Sequence, residues 1–202
     1  MKQKIRVTLT EEMLGTASSN PEIHDEFIAS HAPDAMSRKE EVEALGVEEV
    51  TEKNVTRFPR VDNHPIVWDY QIKGFFKDAC GMLSRVSGTE SSNLTAYKKV
   101  IDGIIFVYPR AILIQMPVGG QMGECQRPLR AQTAQGERIA LAHSESIPVG
   151  TVLEFEVEIM ELKKDKKLLE ACFTEWMDYG AKRGLGQWRN SGKGRFTWEK
   201  VK

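Results

Sequence analysis

The amino-acid sequence predicts an α+β protein in which helices pack on one face of a largely antiparallel sheet. Polar and apolar residues alternate in several segments, which is typical of strands with one buried face. Two other segments place apolar residues three and four positions apart, which is typical of amphipathic helices. In order, the chain reads as strand, helices, several strands, helix and strand, and such an order is satisfied by helices on one side of a sheet.

The composition is ordinary for a globular protein, with 202 residues, 41% apolar and 28% charged. The longest apolar run, Ile104 to Tyr108, is far shorter than the roughly 20 residues that span a bilayer, so we expect no membrane partner. The opening residues alternate in polarity and do not form a secretory signal. Cys80, Cys125 and Cys172 make no CxxC pair, which favours a reducing, cytoplasmic setting.

The amino-terminal part of the chain combines a strand with a strongly acidic segment. Ile5, Val7 and Leu9 alternate with polar residues and predict an opening strand. Residues 11–53 contain twelve acidic and three basic residues, a net charge of −9 in a protein of net charge −1. We therefore expect an acidic helical insertion at about 11–57 within a single domain that spans residues 1–202.

The rest of the chain alternates helices, strands and loops. A helix is predicted at about 69–86, because its apolar residues share one face. The other predicted elements, in chain order, are a loop insertion at about 87–103, strands at 104–108 and 111–116, a loop insertion at about 117–138, strands at 138–143 and 151–160, a helix at 165–179 and a final strand at 196–201.

Two features of these elements invite a chemical interpretation. Glu154, Glu156 and Glu158 share one face of a predicted strand, and we interpret them as a solvated sheet face rather than as paired catalytic acids. Cys172 lies on the apolar face of the 165–179 helix, so we expect a buried small residue and not a nucleophile.

Motifs of common cofactor and metal sites are not satisfied. A phosphate loop requires Gly-Lys-Ser/Thr, but Lys193 is followed by Gly194 and the required upstream glycine is Gln187. A dinucleotide fingerprint fails as well, because the residues after Gly184-Leu185-Gly186 lack the third glycine and the loop precedes a strand. No HExxH or GxSxG motif occurs, and the four histidines are scattered. We therefore expect no cofactor and no metal ion.

One glycine-rich segment does carry a candidate function. Between Tyr179 and Trp198 there are five basic residues and no acidic one. Glycines allow a backbone to approach a ligand, and successive N–H groups with nearby cations bind anions. Trp188 offers a ring on which a base can stack. The competing interpretation is a tight return from helix to strand with Trp188 packed inward.

This carboxy-terminal block resembles the glycine-rich signature of the repeat-associated mysterious protein (RAMP) superfamily, which supplies subunits of CRISPR complexes. The signature is matched by the 165–179 helix, a glycine-rich loop that ends in Ser191-Gly192-Lys193-Gly194, and the last strand. A second match lies at Pro65 to Gly74, where family backbone subunits carry Pro-Gly-Ser-Ser-x-Lys-Gly. Lys73-Gly74 fit that pattern, and Asp69-Tyr70-Gln71 replace its Gly-Ser-Ser.

The resemblance implies a modified ferredoxin-like, RNA-recognition-type fold and a role as a CRISPR effector backbone subunit in antiviral defence. Such subunits assemble along single-stranded guide RNA, so the expected partners are that RNA and copies of this chain or other CRISPR-type subunits. The candidate RNA-binding residues are Lys73, Lys77, Lys182, Arg183, Gln187, Trp188, Arg189, Ser191, Lys193 and Arg195.

Two alternatives remain open at the level of sequence. A phage- or mobile-element-encoded CRISPR-subunit mimic would inhibit an assembly through protein contacts of the acidic 11–53 region. A metal-independent endoribonuclease would use a residue after the first strand, where His24, Asp25, His31 and Asp34 lie without a pattern that selects one. We favour a binding protein over an enzyme and assign no catalytic residue.

Overall fold

A computed structural model describes residues 1–18, 55–133, 136–162 and 167–201. The short helices predicted within 22–53, together with His24, Asp25, His31 and Asp34, lie outside these residues. The chain forms two compact units. The first unit comprises Met1–Met13, Pro59–Gln121 and Ile147–Lys202, and the second comprises Leu14–Phe58 and Met122–Ser146.

The strands and helices are numbered along the chain as the structure describes it. They are β1 (Lys2–Leu9), β2 (Met13–Leu14), β3 (Ala17–Ser18), β4 (Val55–Arg57), β5 (Arg60–Val61), β6 (His64–Trp68), α1 (Asp69–Leu83), α2 (Tyr97–Ile104), β7 (Ile105–Tyr108), β8 (Ala111–Gln115), β9 (Gly123–Thr133), β10 (Gly136–Ile147), β11 (Val152–Ile159), α3 (Leu168–Arg183) and β12 (Phe196–Val201). Two short 3-10 helices cover Glu90–Asn93 and Arg189–Ser191.

The first unit is built on a large antiparallel sheet. Strand β1 lies between β12 and β11, and β11 pairs on its other side with β7 and β8. Strands β6 and β5 extend the sheet beyond β8. Along the chain, β1, α1, β7–β8, β11, α3 and β12 follow the β-α-β-β-α-β order of ferredoxin-like folds. The predicted α+β class, with a ferredoxin-like or RNA-recognition-type sheet, is confirmed.

Helices α1 and α3 cover one face of this sheet. Ile5, Val7 and Leu9 of β1 are at most 1% exposed, as their alternation predicts. Above them, the ring of Phe76 on α1 lies 5.6 Å from the ring of Phe173 on α3, centroid to centroid. These aromatic side chains bury large apolar areas and join the two helices into one core.

The opposite face of β1 and β11 is charged. The amine of Lys4 lies 2.9 Å from a carboxylate oxygen of Glu154, and the Arg6 guanidinium lies 2.7 Å from the same carboxylate. The Lys2 amine lies 2.9 Å from Glu156. The glutamates of β11 therefore balance the basic residues of β1 across the strand register, which agrees with a solvated sheet face.

These ion pairs predict a measurable pH dependence. Hydrogen bonds from Lys4 and Arg6 hold the pKa of Glu154 below its usual value, so its ionised form stabilises the fold above that usual value, and this stabilisation is lost as the pH falls through the lowered pKa. We expect the Tm of Glu154→Gln to fall less than that of the unmodified protein between about pH 6 and pH 3, by about 1–3 °C. The matched control is Glu158→Gln on the same strand face, since Glu158 makes no direct ion pair among the described residues. An identical pH profile for Glu154→Gln and the unmodified protein would contradict the prediction.

The stretch 87–103 differs from the loop expected there, because it contains a 3-10 helix and most of α2. The Thr89 hydroxyl accepts a hydrogen bond from Ser92 N at 3.3 Å and caps the 3-10 helix. Contacts with α3 stabilise this 3-10 helix. The Glu175 carboxylate accepts hydrogen bonds from the backbone N–H groups of Glu90 and Ser91 at 2.7 and 3.0 Å. The local sequence of 87–103 does not reveal these contacts.

The second unit replaces most of the loop expected at 117–138 by strands. Strands β9 and β10 form an antiparallel hairpin from Gly136↔Thr133 to Ser146↔Gly123. Strand β4 adds to β10 in parallel, and β3 pairs with β4. The polar composition misled the prediction, because a hairpin is held by backbone hydrogen bonds that require no apolar alternation.

Candidate nucleic-acid interface

The base of the glycine-rich loop is closed by backbone hydrogen bonds. Helix α3 ends at Arg183 and is followed by Gly184, and Leu185 then donates its N–H to the carbonyl of Gly194 at 2.9 Å. Gly194 in turn donates to the carbonyl of Glu12 at 2.7 Å. Both glycines have positive φ angles, 88° and 72°. A Cβ at Gly194 would lie 1.9 Å from the Leu185 carbonyl oxygen, so this crossing requires a residue without a side chain.

The tip of the loop exposes an aromatic ring. Trp188 adopts a left-handed conformation with φ 53° and is 41% exposed, so it is not packed fully inward. The 3-10 helix after it is held by Ser191, whose hydroxyl donates to the Trp188 carbonyl at 2.8 Å. Gln187 is half-buried beside the ring. The loop thus presents Trp188 on an ordered turn.

Two loop cations are paired with carboxylates from distant parts of the chain. The Arg189 guanidinium lies 2.7 Å from Asp78 on α1, and the Lys193 amine forms an ion pair with Glu12. The segment itself therefore contains no acidic residue, but two carboxylates from other parts of the chain lie against it. Sequence reasoning missed Glu12 and Asp78, because only the folded sheet and helix bring them to the loop.

The other three loop cations carry no such neutralising partner. Lys182 is exposed, and Arg183 donates to the Asn190 side-chain oxygen at 2.6 Å. Arg195 donates to the Lys182 carbonyl at 3.1 Å. Among the residues that the structure describes, Lys182, Arg183 and Arg195 form no ion pair with a carboxylate. We refer to these three as the unpaired loop cations.

Lys73 and Lys77 are directed towards the end of α2. The Lys73 amine donates to the Asp102 carbonyl at 3.1 Å and lies 5.6 Å from the Phe106 ring centroid. The Lys77 amine lies 2.8 Å from the Asp102 carboxylate. Within the described ranges, no hydrogen bond or ion pair joins either lysine to the glycine-rich loop. Lys73 and Lys77, two of the candidate RNA-binding residues, thus both contact Asp102.

On β1 and β11, the open face of the sheet differs from a base-stacking surface. RNA-recognition modules commonly stack bases on aromatic residues of the sheet. Here β1 contains no aromatic residue, and the aromatic ring of β11, Phe155, is 2% exposed on the core side. The charged pairs of Lys4, Arg6 and Glu154 occupy the other face. Exposed rings are found instead at Tyr108 of β7, which pairs with Glu156 of β11 and is 44% exposed, and on the loop at Trp188.

Two of the three cysteines, Cys80 and Cys172, are not suited to nucleophilic chemistry. Cys80 and Cys172 are fully buried, and this burial raises the pKa of their thiols to about 11 and about 12. The expectation of a buried Cys172 is confirmed. Within the described ranges no cluster of three or more histidine, cysteine, aspartate or glutamate residues could hold a metal ion. No helix in the same ranges is long and apolar enough to cross a membrane.

Comparison with known proteins gives a limited result. No family model matches the chain, and no curated protein matches it either. Among solved structures, the chain is similar to one chain of a "Type IV-B CRISPR Complex". The alignment covers 100% of this chain and 90% of that chain, at 10% sequence identity and a TM-score of 0.48. A likeness of this size assigns neither a ligand nor a reaction.

Proposed function

We propose that this protein binds single-stranded RNA as a CRISPR-type, RAMP-like backbone subunit in the cytoplasm. The observation that carries the proposal is the set of unpaired loop cations, Lys182, Arg183 and Arg195, on a loop whose base is closed by backbone hydrogen bonds. Fixed cations beside an exposed ring are the combination that binds a phosphate backbone with unstacked bases. In this proposal residues 1–202 form one RAMP-like domain, with variable insertions at 11–57, 87–103 and 117–138.

Each residue of the loop has a distinct role in the proposal. The unpaired loop cations contact phosphates, and Trp188 stacks on a base, with Gln187 and Ser191 beside it. Arg189 uses one guanidinium nitrogen for Asp78, so its other N–H groups can reach a phosphate. The Lys193 amine likewise uses one of its three N–H donors for Glu12, so the other two can reach a phosphate.

Removing the unpaired loop cations should weaken RNA binding and its dependence on salt. For Lys182→Gln/Arg183→Gln/Arg195→Gln we expect the slope of log K against log salt concentration to fall by about 2, since each phosphate contact on a single strand contributes about 0.7. Affinity for a fluorescent oligouridine of about 30 nucleotides should fall about 30-fold at about 0.1 M salt. Fluorescence anisotropy over a salt series measures both quantities.

The matched control removes the same number of cations from the sheet face, as Lys2→Gln/Lys4→Gln/Arg6→Gln, and should bind nearly as the unmodified protein does. An equal loss in both triple variants would show a net-charge effect and contradict the site. Unchanged affinity of the loop variant would do the same.

Assembly along RNA is tested on the purified protein. An RNA-organised oligomer should elute as a large particle with a high 260/280 nm absorbance ratio, and both should collapse after ribonuclease treatment. The alternative of a CRISPR-subunit mimic is favoured by the −9 charge of residues 11–53 and by the neutralisation of two loop cations. A mimic should elute without nucleic acid and should bind a basic subunit of a CRISPR complex directly.

A further inference from the structure

A groove of about 300 Å³ lies between α1 and α2. Its lining includes Lys77, Asp78 and Arg85 from α1 and its end, and Tyr97 and Lys98 from α2. Asp78 is also the residue that binds Arg189 of the loop, so one side chain belongs both to the groove and to the loop contact. None of the sequence motifs identified Arg85, Tyr97 or Lys98.

The groove is positively charged. It contains three cations and one carboxylate. The Lys77 amine forms an ion pair with the Asp102 carboxylate at 2.8 Å, and the Asp78 carboxylate forms one with the Arg189 guanidinium at 2.7 Å. Arg85 and Lys98 are exposed and form no ion pair among the described residues. An anionic ligand in the groove would therefore meet two cations whose charge is not already balanced.

The wall between these cations combines a hydroxyl group with apolar surface. Gly81 leaves room for the Tyr97 hydroxyl, because a Cβ at Gly81 would lie 2.7 Å from that oxygen. Met82 is 44% exposed on the α1 side of the groove. A phenol and a thioether offer contact area to a ribose or a base, and the phenol can also donate a hydrogen bond.

We propose that this groove binds one nucleotide of the RNA strand that the loop cations hold, with its phosphate between Arg85 and Lys98. This proposal rests on the proposed function, because it assigns a second contact for the same RNA. The volume suits a ligand of nucleotide size, which lies at the lower end of small-molecule sites. Asp78 lines the groove and pairs with Arg189 of the loop. The RNA strand therefore passes from the loop to the groove next to this ion pair.

The first test compares neighbouring residues of α2. Lys98 lines the groove, whereas Lys99 is also exposed and does not line it. For Arg85→Gln/Lys98→Gln we expect about tenfold weaker binding of the oligouridine and a salt slope smaller by about 1.4, twice the single-contact value. Lys99→Gln should bind within about twofold of the unmodified protein. Loss of binding in Lys99→Gln to the same extent as in Arg85→Gln/Lys98→Gln would overturn the groove as the site.

The second test locates the RNA directly. The photoreactive residue p-benzoylphenylalanine replaces Met82 in one variant and Val118, which is fully exposed outside the groove, in another. Irradiation with the oligouridine should crosslink RNA to the first variant and not to the second. Bound RNA without a crosslink at position 82, together with normal affinity of Arg85→Gln/Lys98→Gln, overturns the groove and leaves the loop function intact. If the unmodified protein binds no RNA, the proposed function and the groove proposal both fail.

Discussion

Gly194→Ala is expected to unfold the base of the glycine-rich loop and to cost about 3 kcal/mol of stability. The new Cβ would lie 1.9 Å from the Leu185 carbonyl oxygen, which is backbone and cannot rotate away. A positive φ of 72° adds strain for any residue with a side chain. The hydrogen bond from Leu185 to Gly194 and the one from Gly194 to Glu12 would both be disturbed. Urea unfolding measures the change in the free energy of unfolding.

Alanine substitutions at two other glycines distinguish the effect of the close backbone contact from the effect of the positive φ angle. Gly192 has a φ of 90°, but a Cβ there would meet only the Arg195 side chain at 3.6 Å. Gly119 has a φ of 78° with no atom within 4 Å of its Cβ position. Alanine at either position should cost about 1 kcal/mol, the strain of positive φ alone. Equal losses at all three positions would show that the crossing at Gly194 does not determine the loop base.

Glu175→Ala is expected to release the 3-10 helix from α3 and to cost about 2–4 kcal/mol. The carboxylate accepts three hydrogen bonds, from Glu90 N, Ser91 N and the Ser91 hydroxyl at 2.7, 3.0 and 2.8 Å. Ser91 is fully buried, so its backbone N–H would remain without a partner. Ser91→Ala removes less, but it leaves the buried Trp176 indole N–H without its acceptor at 3.0 Å. We expect Ser91→Ala to cost about 1–3 kcal/mol.

The control for Glu175→Ala lies on the same helix. Glu170 is exposed, and its carboxylate lies 4.0 Å from the Lys200 amine. Glu170→Ala should change the free energy of unfolding by less than about 0.5 kcal/mol. Amide hydrogen exchange of residues 89–94 gives a second readout, because only the release of the 3-10 helix accelerates it selectively. Unchanged protection of Ser91 and Ser92 in Glu175→Ala would contradict the prediction.

Local sequence patterns predicted the central sheet and its helices because burial there is one-sided. The alternation of Leu153, Phe155 and Val157 matches the buried face of β11, and the helical spacing of Phe76 and Phe173 matches the joint core of α1 and α3. Local patterns failed where a contact with a distant segment decides the structure. The 3-10 helix depends on Glu175, and the long β9–β10 hairpin depends on backbone pairing that composition does not reveal.

Local sequence predicted which residues make up the candidate site, but it did not predict which of their charges are neutralised. Counting residues identifies the basic, glycine-rich loop and its aromatic residue Trp188, but it leaves open whether that ring is exposed or packed inward. It does not reveal that Asp78 and Glu12 neutralise Arg189 and Lys193 across more than a hundred positions of sequence. Arg85 and Lys98 escape notice for a related reason, because their proximity arises only when α2 packs beside α1.

The position of β1 between β11 and β12 also constrains how the protein is made. Lys4 lies opposite Glu156 on one side and Val201 on the other, so the first strand finds its neighbours only in the last quarter of the chain. Pairing over such separations requires the closure of a long loop, and the entropic cost of that closure slows folding. Until residues 152–201 have been synthesised, Ile5, Val7 and Leu9 therefore lie in a segment that lacks both of its neighbouring strands.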